Sequence, residues 1–326
     1  MRRALALAAT LALLAPAAAA AQEPVPPPPP PPAPVPPPPV PQITLDAKDV
    51  LRAEGQRLVL RGRRLRLRGT MVPAVAGQPV ELTTFRDGKR HRRIRVAVRP
   101  DGTFGHRLRA WRAGRLSVVP AHAATPELGP ARGPKLTVAV VEPRLGAGDD
   151  GPLVRLLQRG LARLRYAVPR NGSYDAATGR AVMAYRKVAG MARRYDAGGR
   201  VIRRVLAGKG AFKPRHPDAG RHVEADLSRQ VLALIDGGKV VATYHTSTGA
   251  PATPTIIGRF RVYRKDVGTN SLGMVHSSYF IRGYAIHGYI DVPAFNASHG
   301  CLRVPIPDAW RIFTWLRHGD RVITYP

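Results

Sequence analysis

No helix and no sheet can pass through residues 24–41. Of those 18 positions, 14 are proline, and each proline fixes φ and removes a backbone donor. Such a run takes the polyproline II conformation, and at about 3.1 Å per residue it reaches roughly 55 Å. It separates a short N-terminal piece from everything that can fold. That piece reads as an export signal. Met1-Arg2-Arg3 is a positive n-region, residues 4–15 are an apolar h-region too short to span a bilayer comfortably, and Ala19-Ala20-Ala21 before Gln22 is a small-residue cleavage site. The expected start is therefore a signal peptide at 1–21 and a proline-rich linker at 22–41. Cleaved or retained as an anchor, the signal puts the remainder outside the cytoplasm, in cell wall or periplasm. Membrane contact is expected only if the signal stays on.

The chain of 326 residues has one cysteine, which excludes a disulfide framework and a four-cysteine zinc site. Its only long apolar run is at the N-terminus, which excludes a multi-span membrane protein. Lys and Arg number 52 against 21 Asp and Glu, and 44 of the basic residues are Arg. A GC-rich genome alone would give that Arg-, Ala-, Gly- and Pro-rich profile. The excess is spread out: 21 basic against 8 acidic residues in 42–142, 14 against 4 in 143–207, and 15 against 8 in 208–326. A nucleic-acid module concentrates its charge on one face or motif, so nucleic acid is not an expected partner. Anionic cell-wall polymers fit the spread charge better. A secreted polyanion binder remains the reading to which charge alone would lead, and it predicts steep salt dependence.

Residues 42–142 read as all-β. Leu58-Val59-Leu60 and Leu65-Arg66-Leu67-Arg68-Gly69 suggest successive strands, Asp87-Gly88 and Asp101-Gly102 are turns, and residues 93–98 alternate basic and apolar. Short strands at this spacing suggest a small sandwich. The segment resembles the immunoglobulin-like modules that precede bacterial wall enzymes, and its expected role is a spacer. Residues 145–207 change period. Leu153, Leu156, Leu157, Leu161 and Leu164 recur at helical spacing behind Asp150, an expected N-cap, and Pro152. Asp175 can cap a second helix, and a third fits 201–206. With Leu157-Gln158, Asn171-Gly172, Tyr174-Asp175, Thr178 and Ala181-Val182, the segment resembles the three-helix peptidoglycan-binding domain family. It departs at Tyr185-Arg186, where that family usually has Phe-Gln. Glycan gripping and mere orientation of the next domain both stay open. Residues 208–220 read as a linker. Residues 221–326 read as mainly β, with a hairpin at Asp236-Gly237-Gly238 and one late helix near Pro307-Asp308.

The lone Cys301 lies in Ser298-His299-Gly300-Cys301-Leu302-Arg303. Free cysteine is often a buried small hydrophobe, but His, Gly and Arg are poor core company. A second histidine lies upstream in Ile286-His287-Gly288. A thiol attacks as thiolate, and nearby imidazole or positive charge lowers its pKa. Gly300 allows close backbone approach, and the N–H groups of Gly300 and Cys301 can face a developing oxyanion. His287, His299 and Cys301 could instead be three zinc ligands, although no H-E-x-x-H or C-x-x-C element accompanies them. No G-x-S-x-G elbow offers a serine nucleophile. The residues alone do not choose between His287 and His299 as the base. Arg303 suits a substrate carboxylate, or an ion pair with Asp291 or Asp308. Tyr279 is read as the edge of a donor cleft and Met274 as core. The other histidines singled out (His91, His106, His122, His216, His222 and His318) read as surface or linker residues.

Ile286-His287-Gly288 followed by Ser298-His299-Gly300-Cys301-Leu302-Arg303 resembles the signature of the L,D-transpeptidase (YkuD-type) catalytic domain. Asp226-Leu227-Ser228-Arg229-Gln230, Thr246-Ser247-Thr248-Gly249, Thr253-Pro254, Tyr279-Phe280, Val304-Pro305 and Gly319-Asp320-Arg321-Val322 extend the likeness in order. The resemblance implies a β-sandwich or barrel with one late helix, within a multidomain chain. It implies an acyltransferase that needs no cofactor and no metal. Cys301 would attack a tetrapeptide stem, D-Ala would leave, and the thioester would pass to an amine of another stem as a 3→3 cross-link. His287 would be general base and acid, oriented by the Gly288 carbonyl. His299 would support the site, Ser298 would position it, and Arg303 would meet a carboxylate. Peptidoglycan stem peptides and glycan are the implied partners, and carbapenem-type β-lactams would acylate Cys301. Two alternatives remain: an L,D-carboxypeptidase using the same site, and a non-catalytic wall-binding protein.

Overall fold

A computed structural model of the chain describes residues 35–326. The expected signal peptide and most of the expected proline-rich linker lie outside the described residues. Among the described residues no helix is long and apolar enough to cross a membrane.

Ten strands come first: β1 (Gln42–Lys48), β2 (Leu51–Ala53), β3 (Gln56–Leu60), β4 (Arg64–Val72), β5 (Pro79–Arg86), β6 (Lys89–Ala97), β7 (Thr103–Arg109), β8 (Gly114–His122), β9 (Ala131–Arg132) and β10 (Leu136–Val141). They make two sheets, β1-β4-β7 and β2-β3-β10-β8-β5-β6, with β9 beside β8. Alternation is strict on β4, whereas β3 and β8 carry continuous buried runs. On β4, Leu65, Leu67 and Met71 point inward while Arg64, Arg66 and Arg68 face solvent. Inward residues of both sheets, among them Leu67, Val80, Leu82 and Phe104, form one core. Asp87 and Gly88, both at positive φ, turn β5 into β6, as the Asp-Gly pair predicts.

A helical segment follows: β11 (Arg144–Leu145), α1 (Pro152–Arg163), α2 (Ala176–Val188), β12 (Ala197–Gly198) and α3 (Gly199–Leu206). The N-cap of α1 is Gly151 rather than Asp150, which instead bridges to Ser173. Asp175 does cap α2, accepting from the Thr178 N–H at 2.7 Å. Gln158 is wholly buried: its amide donates to Asn171 Oδ1 and to the Ser173 carbonyl, both at 2.9 Å, and accepts from the Gly172 N–H at 2.8 Å. The Gln158 and Asn171-Gly172 motifs are thus one internal knot. Leu157, Leu161, Val182, Tyr185 and Ile202 form a core that also takes in Leu60 from β3.

Residues 208–220, expected as a linker, are mostly exposed and are anchored at two points. Phe212 is buried against Val231, Ala233 and Ile235. The buried Glu224 carboxylate accepts from the Arg215 and His216 N–H groups at 2.8 and 2.6 Å. His222, expected at the surface or in the linker, is buried beside Glu224, and His122 is buried too. The linker-like composition hides a segment whose backbone donors a buried carboxylate needs.

The last part holds β13 (His222–Asp226), β14 (Val231–Asp236), β15 (Lys239–His245), β16 (Gly258–Arg261), β17 (Arg264–Thr269), β18 (Val275–Ile281), β19 (Tyr284–Tyr289), β20 (Leu302–Pro305), α4 (Ile306–Trp315) and β21 (Arg321–Tyr325). The sheets β15-β14-β13-β21-β16 and β17-β18-β19-β20 stay separate, sharing a core with Ala309 and Ile312 of α4. The barrel alternative is therefore corrected: no barrel closes among the described residues. The architecture is multidomain, with a β-rich N-terminal region and a mixed β/helix C-terminal domain.

Candidate active site

Strands β19 and β20 run parallel, with Ile286 opposite Leu302 and His287 opposite Arg303. Ile286 and Leu302 point into the core, so the pleat turns His287 and Arg303 to the other face. Cys301 immediately precedes β20. His287, His299, Cys301 and Arg303 all line one cleft of ≈ 630 Å³, joined by Met274, Tyr284 and Tyr289. Parallel pairing of two consecutive strands, with the loop between them folding back, brings these groups together.

His287 is buried, with Nδ1 2.9 Å from the Gly288 carbonyl oxygen. A carbonyl only accepts, so Nδ1 carries the proton and Nε2 of the neutral ring presents a lone pair. Tyr289 meets His287 edge-on at 5.7 Å. The Arg303 guanidinium lies over the Tyr289 ring, 4.0 Å from its centroid. Arg303 also donates to the Ala297 carbonyl at 3.3 Å. No carboxylate among the described residues pairs with it, and Asp308 is held by Arg180 at 2.9 Å. His299 is exposed at the rim.

The Cys301 loop is held from inside. Ser298 Oγ accepts from the Gly300 N–H at 3.1 Å and donates to the Cys301 carbonyl at 2.6 Å. Thr255 Oγ1 donates to the Gly300 carbonyl at 2.8 Å and accepts from the Gly249 N–H at 2.9 Å. Gly300 has φ +106°, and a Cβ there would overlap the Tyr284 ring. The oxyanion expectation is therefore corrected: the Gly300 N–H is taken by Ser298, leaving the Cys301 N–H as the loop's donor. Gly288 has its own steric reason, since a Cβ would stand 2.8 Å from that of Ala309 on α4.

Two further expectations change. Tyr279 does not edge the cleft. It is 5% exposed and packs with Met274 and Ala285 beneath Cys301, while Met274 reaches the cleft as well as the core. Nor is the thiol acidified. Burial pushes Cys301 above its ordinary value of 9.0, and the Ala285 N–H (3.4 Å from Sγ) and Arg303 pull only partly back. Burial likewise pushes His287 down to about 4, opposed by the Gly288 carbonyl and reinforced by Arg303. Both shifts favour the uncharged forms, thiol and imidazole. Thiolate rises with pH until the raised pKa is passed. Alkylation of Cys301 by iodoacetamide should therefore still accelerate as pH climbs through the ordinary value of 9.0. A plateau below neutrality would instead reveal a preformed thiolate–imidazolium pair.

Sequence reasoning missed Tyr284, Tyr289 and Thr255. Tyr289 had a signal, standing two residues after His287 on one strand face. Thr255 followed the noted Thr253-Pro254. Among the described residues no three His, Cys, Asp or Glu side chains converge as a metal set.

The family model for the L,D-transpeptidase catalytic domain (YkuD) matches residues 220–324. A crystal structure of an L,D-transpeptidase from Xylanimonas cellulosilytica is 32% identical, with a TM-score of 0.53, over 57% of this chain and 98% of that one. At that identity over nearly all of the relative, the chain belongs to the L,D-transpeptidase family, and residues 220–324 are its YkuD-type catalytic domain. More distant matches include the catalytic domain of an E. faecium L,D-transpeptidase, 25% identical with a TM-score of 0.29 over 33% of this chain and 98% of that one. A Mycobacterium tuberculosis L,D-transpeptidase is 23% identical with a TM-score of 0.28, over 33% and 62% respectively. No curated protein matches the chain.

Proposed function

We propose that the protein is an exported peptidoglycan L,D-transpeptidase working through a thioester on Cys301. The observation that carries this reading is the convergence of Cys301, His287 and Arg303 on one cleft, with no carboxylate among the described residues paired to Arg303 and the imidazole oriented by Gly288. The reaction starts from neutral groups. His287 Nε2 takes the thiol proton as Sγ attacks the acyl carbonyl of a tetrapeptide stem, and the Cys301 N–H faces the oxyanion. The proton then goes to the departing D-Ala amine, leaving the thioester. An amine of a second stem attacks, returns its proton through His287, and completes a 3→3 cross-link. A buried base with a pKa near 4 is unprotonated at working pH, as this first step requires. His299 would support the rim and Ser298 would fix the loop.

Arg303 would hold a stem carboxylate. Its fixed fork of donors and the absence of a competing carboxylate support this. Arg303→Met should raise KM for the donor by about tenfold or more, with a smaller change in kcat. An unchanged KM in steady-state assays would remove Arg303 from the binding site.

The remaining segments fit a wall protein. The β-rich region would serve as an immunoglobulin-like spacer, and its outward arginines, among them Arg64, Arg66 and Arg68, suit anionic wall polymers. The helical segment would belong to the peptidoglycan-binding-like type. The deciding experiment incubates the protein with a disaccharide tetrapeptide and reads products by mass spectrometry. A dimer lighter by one D-Ala supports transpeptidation. Tripeptide alone points to carboxypeptidase use of the same thioester, and no turnover points to a wall-binding protein.

A further inference from the structure

The loop between β19 and β20 ends at Cys301, and its carbonyls are pinned one after another. Ser247 Oγ donates to the Phe295 carbonyl at 2.7 Å. Ala250 N–H and Thr253 Oγ1 donate to the Ser298 carbonyl at 2.8 and 2.9 Å. Those pins come from the catalytic domain. Of the two nearest the start of the loop, one comes from the helical segment and the other from His245 of β15, which a lysine of the helical segment contacts.

Lys187, on α2, is 3% exposed and reaches into the catalytic domain. Its Nζ donates to the Gln230 carbonyl at 3.0 Å, the Thr246 carbonyl at 2.9 Å and His245 Nδ1 at 2.7 Å. His245 is itself 2% exposed, and its Nε2 lies 3.0 Å from the Val292 carbonyl. Burial, with Lys187 adding, pushes His245 down to about 3. The ring is neutral, so Nδ1 accepts from Lys187 and Nε2–H donates to Val292. Burial pushes the Lys187 amine down to about 6, and in either protonation state Nζ can donate to the imidazole. Arg193, after α2, donates to the Ala294 carbonyl at 2.8 Å and the Ser228 carbonyl at 2.9 Å. Arg193 of the helical segment thus holds one carbonyl of the nucleophile's loop directly, and Lys187 bears on the alternate one only through His245 of β15. A lysine amine is costly to bury unless its hydrogen bonds are met. A surface module gripping glycan would have no use for one buried inside its neighbour.

We infer that the helical segment is a brace for the catalytic loop, with Lys187, acting through His245, and Arg193 as positioning residues that set the path of residues 292–301. The inference rests on Cys301 being the reacting group. The geometry of the brace can be tested without chemistry, by hydrogen exchange on the full chain.

Lys187→Met keeps the apolar stem and removes the donor. Amide exchange in 292–301 should quicken by about tenfold or more, the consequence of losing a buried hydrogen bond, while exchange in β13 and β14 changes little. Acylation of Cys301 by a tetrapeptide donor, followed by intact mass, should slow by about tenfold with KM within about twofold. His245→Gln retains an acceptor and a donor and should stay within about threefold of the parent in both readouts, whereas His245→Leu should behave like Lys187→Met. Should Lys187→Met fail to fold, the more exposed Arg193→Ala carries the same test at Ala294. Parental exchange in 292–301 overturns the brace. So does exchange that rises equally in β13 and β14, since that marks general loosening. A parent chain that the donor never acylates sinks the proposed function, and the exchange result still decides the brace.

Discussion

Cys301→Ala is expected to abolish donor acylation, with no thioester adduct by intact mass and turnover down by at least about 10⁴-fold, because it removes the chain's single thiol. The fold should survive. Cys301 is a small, partly buried side chain packed against Met274, Tyr279 and Ala285, and alanine removes a single atom, so the thermal midpoint should move little. Covalent labelling by a carbapenem-type β-lactam should vanish with it. Cys301→Ser sharpens the result: a hydroxyl keeps the shape, but His287, already a weak base at about 4, cannot deprotonate it usefully. An adduct persisting in Cys301→Ala would move the chemistry to another residue and sink the mechanism above.

Gly300→Ala is expected to be nearly as damaging without removing any reacting group. Alanine at φ +106° is strained, a cost of about 1–3 kcal/mol, and its methyl would overlap the Tyr284 ring. The loop can relieve this only by giving up the Ser298–Gly300 or Thr255–Gly300 hydrogen bond, and either moves Cys301. Acylation should fall by about 100-fold or more, since misplacement by about 1 Å costs that much, and the thermal midpoint should drop by several degrees. Adding Tyr284→Ala removes the overlap but not the backbone strain, so the double variant should recover only part of the loss. Parental acylation in Gly300→Ala would show that the loop tolerates another path.

Much of this was legible in the sequence because it is local. The Asp87-Gly88 and Asp236-Gly237-Gly238 turns, the alternation along β4 and the Asp175 cap depend on a few adjacent residues. The family signature supplied Cys301 and His287, which no periodicity could have paired. What stayed hidden depends on contacts between distant segments. Tyr279 looks like a cleft residue until the sheet buries it, and Gly300 looks like a free donor until Ser298 turns back on it. Positive neighbours suggest an acidic thiol, yet burial outweighs them. Residues 208–220 have a linker's composition, yet Phe212 is buried against β14. His245 drew no notice because only the approach of Lys187 gives it a task.

The core that passes from β3 into the helices has a consequence for modularity. Leu60 belongs to a strand of the first β body, yet its neighbours include the apolar faces of the helical segment, with Leu51 and Val141 packed beside it. A cut near residue 142 would uncover that shared apolar surface on both pieces at once. The segments look like beads in sequence but cannot be exchanged like cassettes. A graft that respects the apparent boundary must also carry over the complementary side chains, or the recipient will expose a sticky, half-built interior.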